Sequence, residues 1–448
     1  MSLVDINVFM ARFHEAERAL ALFDDAIGGE LWWDSIRIEI CYFLYDCLSG
    51  LTYSTTLGPR GRSPALGRIR RAAERYALFA QAMVRHRDVM VLRAARSVVD
   101  GKRHDVVLDP LVDLLPAPAL VVDTVPRRYQ LPDVSRLAPA RLAPRIVEVL
   151  DALSRAFSLA ERFRQPLLDR AAETRAQYAS DLAGYHRLFA LARPRAILMV
   201  QNGVGRALFT AANARGIPTA EAQHGLIGFG HPAYSYPRGV DYGRQLGFPK
   251  LFLTFSDFWS RSTHYPAPRH AMVGTDHFGA GIARSPRGTG TVMVIAAAIY
   301  HDELLALTRD VAARLPERRI IYKLHPAQRP AEEAIRAGLA DLPNIAVGSA
   351  DVPAAAMLGP VTHLVAIQST VVYEALQAGR RIAIVPRHDY HLNADIFDCP
   401  QVAVTPNTDA LVAALATPAD GEPGPTFFEP FDPVRARATI ATELLGGG

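Results

Sequence analysis

The chain has 448 residues, half of them hydrophobic, with a formal net charge of +4 and three cysteines. That length predicts two or three domains, and no apolar run reaches the roughly 18–20 residues a membrane span requires. Cys41, Cys47 and Cys399 have no metal-ligand spacing and cannot all pair, so a reducing cytoplasm is the expected compartment and no metal site is expected.

In chain order, the opening MSLVDINVFMARFHEAERAL lacks the basic, apolar and small-residue succession of a secretory signal, so none is expected. The first 50 residues, with Trp32-Trp33 and the run Ile36–Leu51, read as packed helices. Arg60, Arg62, Arg68, Arg70, Arg71 and Arg75 follow, then Arg85, His86 and Arg87. Such a cluster suits a solvated face or an anionic surface, with peripheral membrane contact through Arg60–Arg75 the leading functional reading. Aromatic interleaving is thin there and no nucleic-acid motif occurs, so nucleic acid is not an expected partner.

Strand signals begin at Asp88–Leu92, Val106–Leu108 and Ala119–Val125. From Arg145 to Ala192 an Ala/Leu/Arg-rich segment has helical period and predicts two helices. Ala196–Val200 reads as a buried parallel strand, Arg206–Ala214 as a helix, and Thr219–Gln223 and Leu251–Phe255 as strands around an irregular Pro/Gly/Tyr-rich loop. Ala271–Val273 is strand-like and leads to Gly274, read as a hinge, and Ser285–Gly290 forms a linker-like break. Beyond it the alternation is regular: strands at Thr291–Ile295, Arg319–Leu324, Ile345–Val347, His363–Ile367 and Arg381–Val385, with helices at Asp302–Leu315, Ala331–Ala340, Val352–Leu358 and Val371–Gln377. Both halves therefore predict parallel, doubly wound sheets, an α/β fold of two Rossmann-like domains.

Open sheets of this kind collect ligands at the carboxyl ends of their strands. Three such ends carry chemistry. Gln368-Ser369-Thr370 lies where a strand turns into a helix, so free backbone N–H groups, two hydroxyls and the helix dipole meet at a point suited to phosphate. Glu374 sits one turn further on the same face. A plain N-cap with a first-turn acid is the alternative. Lys323-Leu324-His325-Pro326 ends an earlier strand of the same predicted sheet, where Lys supplies charge and His a hydrogen-bond donor. In the first half, Glu221-Ala222-Gln223-His224-Gly225 follows a strand; His224 is a candidate general base, and Glu221 either orients it or acts as the base itself. Gly225 offers close backbone approach or positive φ.

The loop with His231, Tyr234, Tyr236 and Arg238 can stack on a sugar or bind an acidic acceptor, or equally pack down. Asn202 and Gly203, in Gln201–Gly205, resemble part of a phosphate loop but lack its third Gly and Lys-Ser/Thr, and are expected to line the acceptor side. His301-Asp302 opens a helix whose N-terminus can add donors, with Asp302 as a plain N-cap the stronger reading.

Lys323-Leu324-His325-Pro326 followed by Gln368-Ser369-Thr370-Val371-Val372-Tyr373-Glu374-Ala375 resembles the donor half of GT-B glycosyltransferases. More narrowly, it is similar to bacterial capsule and surface-polysaccharide transferases with a His-Pro motif, including polysialyltransferases, Kdo transferases and, more distantly, CDP-glycerol glycerophosphotransferases. The resemblance covers about Leu198–Ile384. It implies two Rossmann-like domains facing a cleft, and with the chain's own pattern the expected division is a helical region at 1–87, an acceptor-side domain at 88–284, a donor-binding domain at 285–425 and a tail at 426–448. It implies that His325, Ser369 and Thr370, with Lys323, Pro326 and Gln368 around them, bind nucleotide phosphates, and that Glu374 meets the ribose. His224 matches a His-Gly of the glycerophosphotransferases, whereas the acidic pair of the polysialyltransferases is absent. The implied activity is an inverting, metal-independent transfer from a nucleotide-activated sugar to a glycan or lipid-linked acceptor at the inner face of the plasma membrane. The donor sugar is a co-substrate rather than a cofactor, and a CMP-activated acidic sugar is the favoured donor. The alternatives are a UDP-sugar 2-epimerase, a CDP-alditol phosphotransferase and a non-catalytic glycan- or nucleotide-binding subunit.

Overall fold

The computed structural model describes residues 4–50, 77, 80, 81, 83, 84, 88–94, 97–99, 102–116, 118–123, 140–200, 206–279, 282–297, 300–387 and 389–446. The arginines of Arg60–Arg75, together with Arg85, His86, Arg87, Asn202 and Gly203, lie outside the described residues. The chain divides into two compact units: an amino-terminal one of residues 8–254, 263–273 and 432–448, and a carboxy-terminal one of residues 1–7, 255–262 and 274–431.

In the amino-terminal unit, α1 (Ile6–Ala19) and α2 (Arg37–Ser49) precede β1 (Val89–Arg93). A short antiparallel hairpin, β2 (Ser97–Val99) with β3 (Lys102–His104), then leads into α3 (Leu108–Val112). The sequence predicts a strand at Val106–Leu108, and the structure corrects it. Asp105 Oδ1 accepts the Val107 and Leu108 N–H groups at 3.0 Å each, committing to a helix start the donors a strand would send to a neighbour. After β4 (Ala119–Asp123) come α4 (Pro144–Ala156) and the long α5 (Arg164–Ala192), the two helices expected there. β5 (Ile197–Val200), α6 (Arg206–Asn213), β6 (Thr219–Ala222), β7 (Leu251–Thr254) and β8 (Arg269–Met272) complete the sheet. Among the described residues it is six-stranded and parallel, in the order β8-β7-β6-β5-β1-β4. Its inner strands β1, β5, β6 and β7 are buried along almost their whole length, as a parallel sheet covered by helices requires, and β1, β5 and β7 are apolar runs. Met90, Leu188, Phe189, Ile197, Leu208 and Phe209 share one core.

The carboxy-terminal unit includes α7 (Asp257–Ser262) and then runs β9 (Thr291–Ile295), α8 (His301–Arg314), β10 (Ile320–Lys323), α9 (Glu332–Gly338), β11 (Ile345–Gly348), β12 (Val361–Ala366), α10 (Thr370–Gln377), β13 (Arg381–Ile384), β14 (Val402–Val404) and α11 (Thr408–Ala416). Its parallel sheet, again six-stranded among the described residues, has the order β11-β10-β9-β12-β13-β14. Strand order reverses at β9, so β9 and β12 flank the switch point where doubly wound sheets hold ligands. Val292, Val294, Tyr322, Val365 and Leu411 lie in its core. The helix expected at Val352–Leu358 is only a 3-10 turn, Ala354–Met357, opened by Pro353. Gly379 closes α10 with φ +85°, where a side chain would come within 2.7 Å of the Gly421 carbonyl. Gly274, expected as a hinge, has φ +78° and packs so tightly on Pro430 that a side chain would collide with its carbonyl. Both sheets are thus of the expected α/β, doubly wound kind.

The units divide differently from the boundaries at 87, 284 and 425. Most of α1 and all of α2 belong with the first sheet rather than forming a separate region. The expected tail contributes α12 (Pro433–Thr439) to the amino-terminal unit. Its start is fixed by Asp432, whose Oδ1 accepts the Val434 and Arg435 N–H groups at 3.0 Å.

Candidate functional site

Two groups of side chains lie at carboxyl ends of strands, one in each unit. In the amino-terminal unit β6 presents Glu221, and His224 follows two residues after the strand ends. Glu221 is fully buried and accepts hydrogen bonds from two phenols, Tyr234 Oη at 2.6 Å and Tyr265 Oη at 2.8 Å. Tyr234 Oη also lies 3.0 Å from His224 Nδ1. A phenol has one hydrogen, and the 2.6 Å bond commits it to the carboxylate. His224 therefore donates from Nδ1 to the phenol, which leaves Nε2 as the basic nitrogen. The order is Glu221, Tyr234, His224, with the imidazole half-buried at the outer end.

This geometry bears on three expectations. Glu221 is sealed behind two tyrosines, and its carboxylate reaches His224 through Tyr234. Tyr234 is fully buried and serves that chain instead of offering a face for sugar stacking. Gly225 has no positive φ, and nothing lies within 4 Å of where a side chain would start, so the fold itself does not require a glycine there. His231 packs edge-on against Tyr234 at 4.9 Å, and burial pulls its pKa down to about 4, so it is neutral near pH 7. Arg238 alone of the predicted loop residues is exposed.

The amino-terminal helices hold this loop in place. Arg37 is fully buried, forms bonds of 2.6 and 3.0 Å to the two oxygens of Glu17, and donates to the Pro232 and Ser235 carbonyls at 2.7 and 2.8 Å. Those carbonyls bracket Tyr234. Sequence reasoning also missed His104, whose Nδ1 lies 2.8 Å from Asp109 Oδ2. Arg93 at the end of β1 bonds both Asp109 at 2.8 Å and Asp123 at 2.6 Å, so these residues form one chain on the edge that carries His224. The run Lys-Arg-His-Asp at 102–105 is a visible polar signal, obscured by the strand expected directly after it.

In the carboxy-terminal unit the ends of β10 and β12 flank that of β9, so they stand two strand spacings apart, roughly 9–10 Å. His325 follows β10 and caps the 3-10 turn Pro326–Ala331: its Nδ1 accepts the Ala327 N–H at 3.1 Å, and its own N–H donates to Gln328 Oε1 at 2.9 Å. An Nδ1 that accepts carries no proton, so the neutral ring bears its hydrogen on Nε2. Pro326 occupies the first position of the turn, where a missing N–H costs nothing. His325 is exposed, yet partial desolvation and then the Lys323 charge lower its pKa. Lys323 itself is buried, with Nζ 2.6 Å from the Leu324 carbonyl, and burial lowers its pKa. Its charge therefore acts on His325 from within the fold rather than from an open strand end.

At the end of β12, Gln368 is exposed and Ser369 and Thr370 are half-buried. Ser369 has the extended backbone of an N-cap (φ −170°, ψ 148°), but its hydroxyl makes no capping bond. Glu374, one turn on, is buried and accepts the Gly279 N–H at 3.2 Å. Asp302, expected as an N-cap, lies in the first turn of α8, where Tyr300 takes the cap position without a side-chain bond. Among the described residues no group of three or more His, Cys, Asp or Glu side chains is placed to hold a metal ion, and no helix is long and apolar enough to cross a membrane.

No protein-family model matches the chain, and no curated protein matches it. Among solved structures it is similar to the S. aureus MnaA–UDP co-structure, with TM-score 0.46 and 11% identity over 80% of this chain and 97% of that one. It is also similar to Neisseria meningitidis UDP-GlcNAc 2-epimerase bound to UDP-GlcNAc, with TM-score 0.45 and 11% identity over 80% and 99% of the two chains. For Acinetobacter baumannii MurG the values are 0.43 and 14%, over 79% and 99%. The likeness is one of fold and goes no further.

Proposed function

We propose that the chain is a nucleotide-sugar-dependent glycosyltransferase of GT-B type. It would transfer a sugar with inversion to a surface-glycan or lipid-linked acceptor, with a CMP-activated acidic sugar as the donor its sequence resemblance favours. The observation that carries the reading is the carboxyl edge of the second sheet. There an imidazole fixed as an Nε2–H donor, two hydroxyls at a helix start and a buried carboxyl stand around the switch point.

In this reading His224 Nε2 takes the proton of the acceptor hydroxyl as its oxygen attacks the anomeric carbon. The bond from that carbon to the phosphate oxygen breaks, and the nucleotide leaves with the electron pair. His325 Nε2–H, the Ser369 and Thr370 hydroxyls and the first N–H groups of α10 stabilise the charge that develops there. Glu374 accepts a ribose hydroxyl. The imidazolium formed at His224 keeps its Nδ1–H on Tyr234, through which the Glu221 carboxylate supports it.

Thermal melting with CMP, CDP, UDP and GDP tests the site, because a ligand of the native state raises its apparent stability. At least one nucleotide is expected to raise the melting temperature, and His325→Ala to remove that shift. His224→Ala should keep the shift while lowering kcat roughly 10²–10⁴-fold. No shift with any of the four, or an unchanged shift in His325→Ala, would overturn the reading. Turnover of a UDP-sugar without acceptor would instead indicate 2-epimerase chemistry, and phosphate retained in the product alditol-phosphate transfer.

A further inference from the structure

Gln328 is buried, at 7% exposure, between two imidazoles on the carboxyl edge of the second sheet. Its Oε1 accepts the His325 backbone N–H at 2.9 Å, and its Nε2 lies 2.8 Å from His301 Nδ1. The assignment of the amide follows from the backbone. An N–H can only donate, so the oxygen of Gln328 must face His325 and its NH₂ must face His301. Nδ1 of His301 is then an acceptor, and the Tyr322 hydroxyl, 3.3 Å away, meets the same nitrogen. The proton of the neutral His301 ring sits on Nε2. His325 reaches the same tautomer because its Nδ1 accepts the Ala327 N–H.

The two rings come from different strand ends. His301 begins α8 after β9, and His325 follows β10, the neighbouring strand. Both belong to the edge where the switch point lies, and Gln328 couples the ring of one to the backbone of the other. Of the two acids that follow His301 in the first turn of α8, Asp302 and Glu303, Glu303 is paired to Arg387 at 2.6 Å.

We infer that Gln328 is a positioning residue that holds His301 as an Nε2–H donor, making His301 a second imidazole ligand of the nucleotide's phosphate oxygens beside His325. This rests on the donor-site reading given above. With its Nδ1 engaged as an acceptor, each ring has an Nε2–H to donate to a phosphate oxygen.

The test uses the full chain, ¹⁵N-histidine labelling and Gln328→Glu, which preserves shape. A carboxylate can still accept the His325 N–H but can only accept from His301, so it should drive the His301 proton to Nδ1. In the wild type both rings should show a pyridine-like Nδ1 by ¹⁵N NMR. In Gln328→Glu, His301 should switch to a protonated Nδ1 while His325 does not change. His301→Ala and Gln328→Glu should each weaken binding of CMP and CDP about 10-fold, the worth of one hydrogen bond to a charged group. A protonated Nδ1 on wild-type His301 would overturn the inference. So would unchanged nucleotide affinity in His301→Ala while His325→Ala loses it, an outcome that leaves the donor-site reading standing. If His325→Ala also binds normally, both fall.

Discussion

Burial holds the Glu374 carboxyl above the ordinary carboxylate range, with the Gly279 N–H pulling the other way. A raised folded-state value means that the folded chain binds this proton more tightly than the unfolded chain, so the charged form is a cost to stability. That cost is absent below the ordinary range, grows as pH rises through the raised value and is complete above it. Glu374→Gln keeps the acceptor for Gly279 and removes the charge. Its melting temperature should match wild type near pH ~4 and exceed it increasingly toward pH ~8. A difference that does not vary with pH would contradict the assignment. His325, Ser369 and Thr370 are legible in the sequence because each stands where an apolar run stops at a polar residue. Tyr265 and Gln328 are not, because their roles depend on which hydrogen each partner has to give. Tyr265 meets Glu221 from 44 positions away in the chain.

Elements matter through their ends. A serine at an N-cap ordinarily contributes about 1 kcal/mol through its side-chain bond to the first turn. Ser369 has the cap backbone without that bond. Ser369→Ala should therefore change unfolding stability in urea by only about a few tenths of a kcal/mol while weakening nucleotide binding. A full capping loss would show that the hydroxyl serves the helix rather than a ligand. The buried strands β9, β10 and β12 are legible as short continuous apolar runs, and α10 as the segment between Ser369 and Gly379. The misread segments share a cause: Val106–Leu108 and Val352–Leu358 have apolar content suited to regular structure. Asp105 and Pro353 redirect the backbone locally, and a hydrophobicity pattern does not register that.

At the scale of the whole molecule, both sheets follow from alternating strand and helix signals, but membership of the units does not. Residues 432–448 read as a tail because they follow the last strand of the second sheet, yet they belong with the first. Within the amino-terminal unit Ala436 and Ile440 are fully buried, and Arg269 of β8 pairs with Glu443 at 2.8 Å. Removing residues 432–448 should therefore lower the melting transition of the amino-terminal unit. Nucleotide binding by the carboxy-terminal unit should persist. Calorimetry with and without nucleotide separates these outcomes, and a truncated chain that melts like wild type would refute the assignment.

The same arrangement sets an order in time. At synthesis rates of roughly 5–20 residues per second, the 175 residues after Val273 take on the order of 9–35 s to emerge. Through that interval the first sheet is on hand without the helix that completes its unit. The second unit has all its segments by Phe431, so the part of the protein made first is the last that can finish folding.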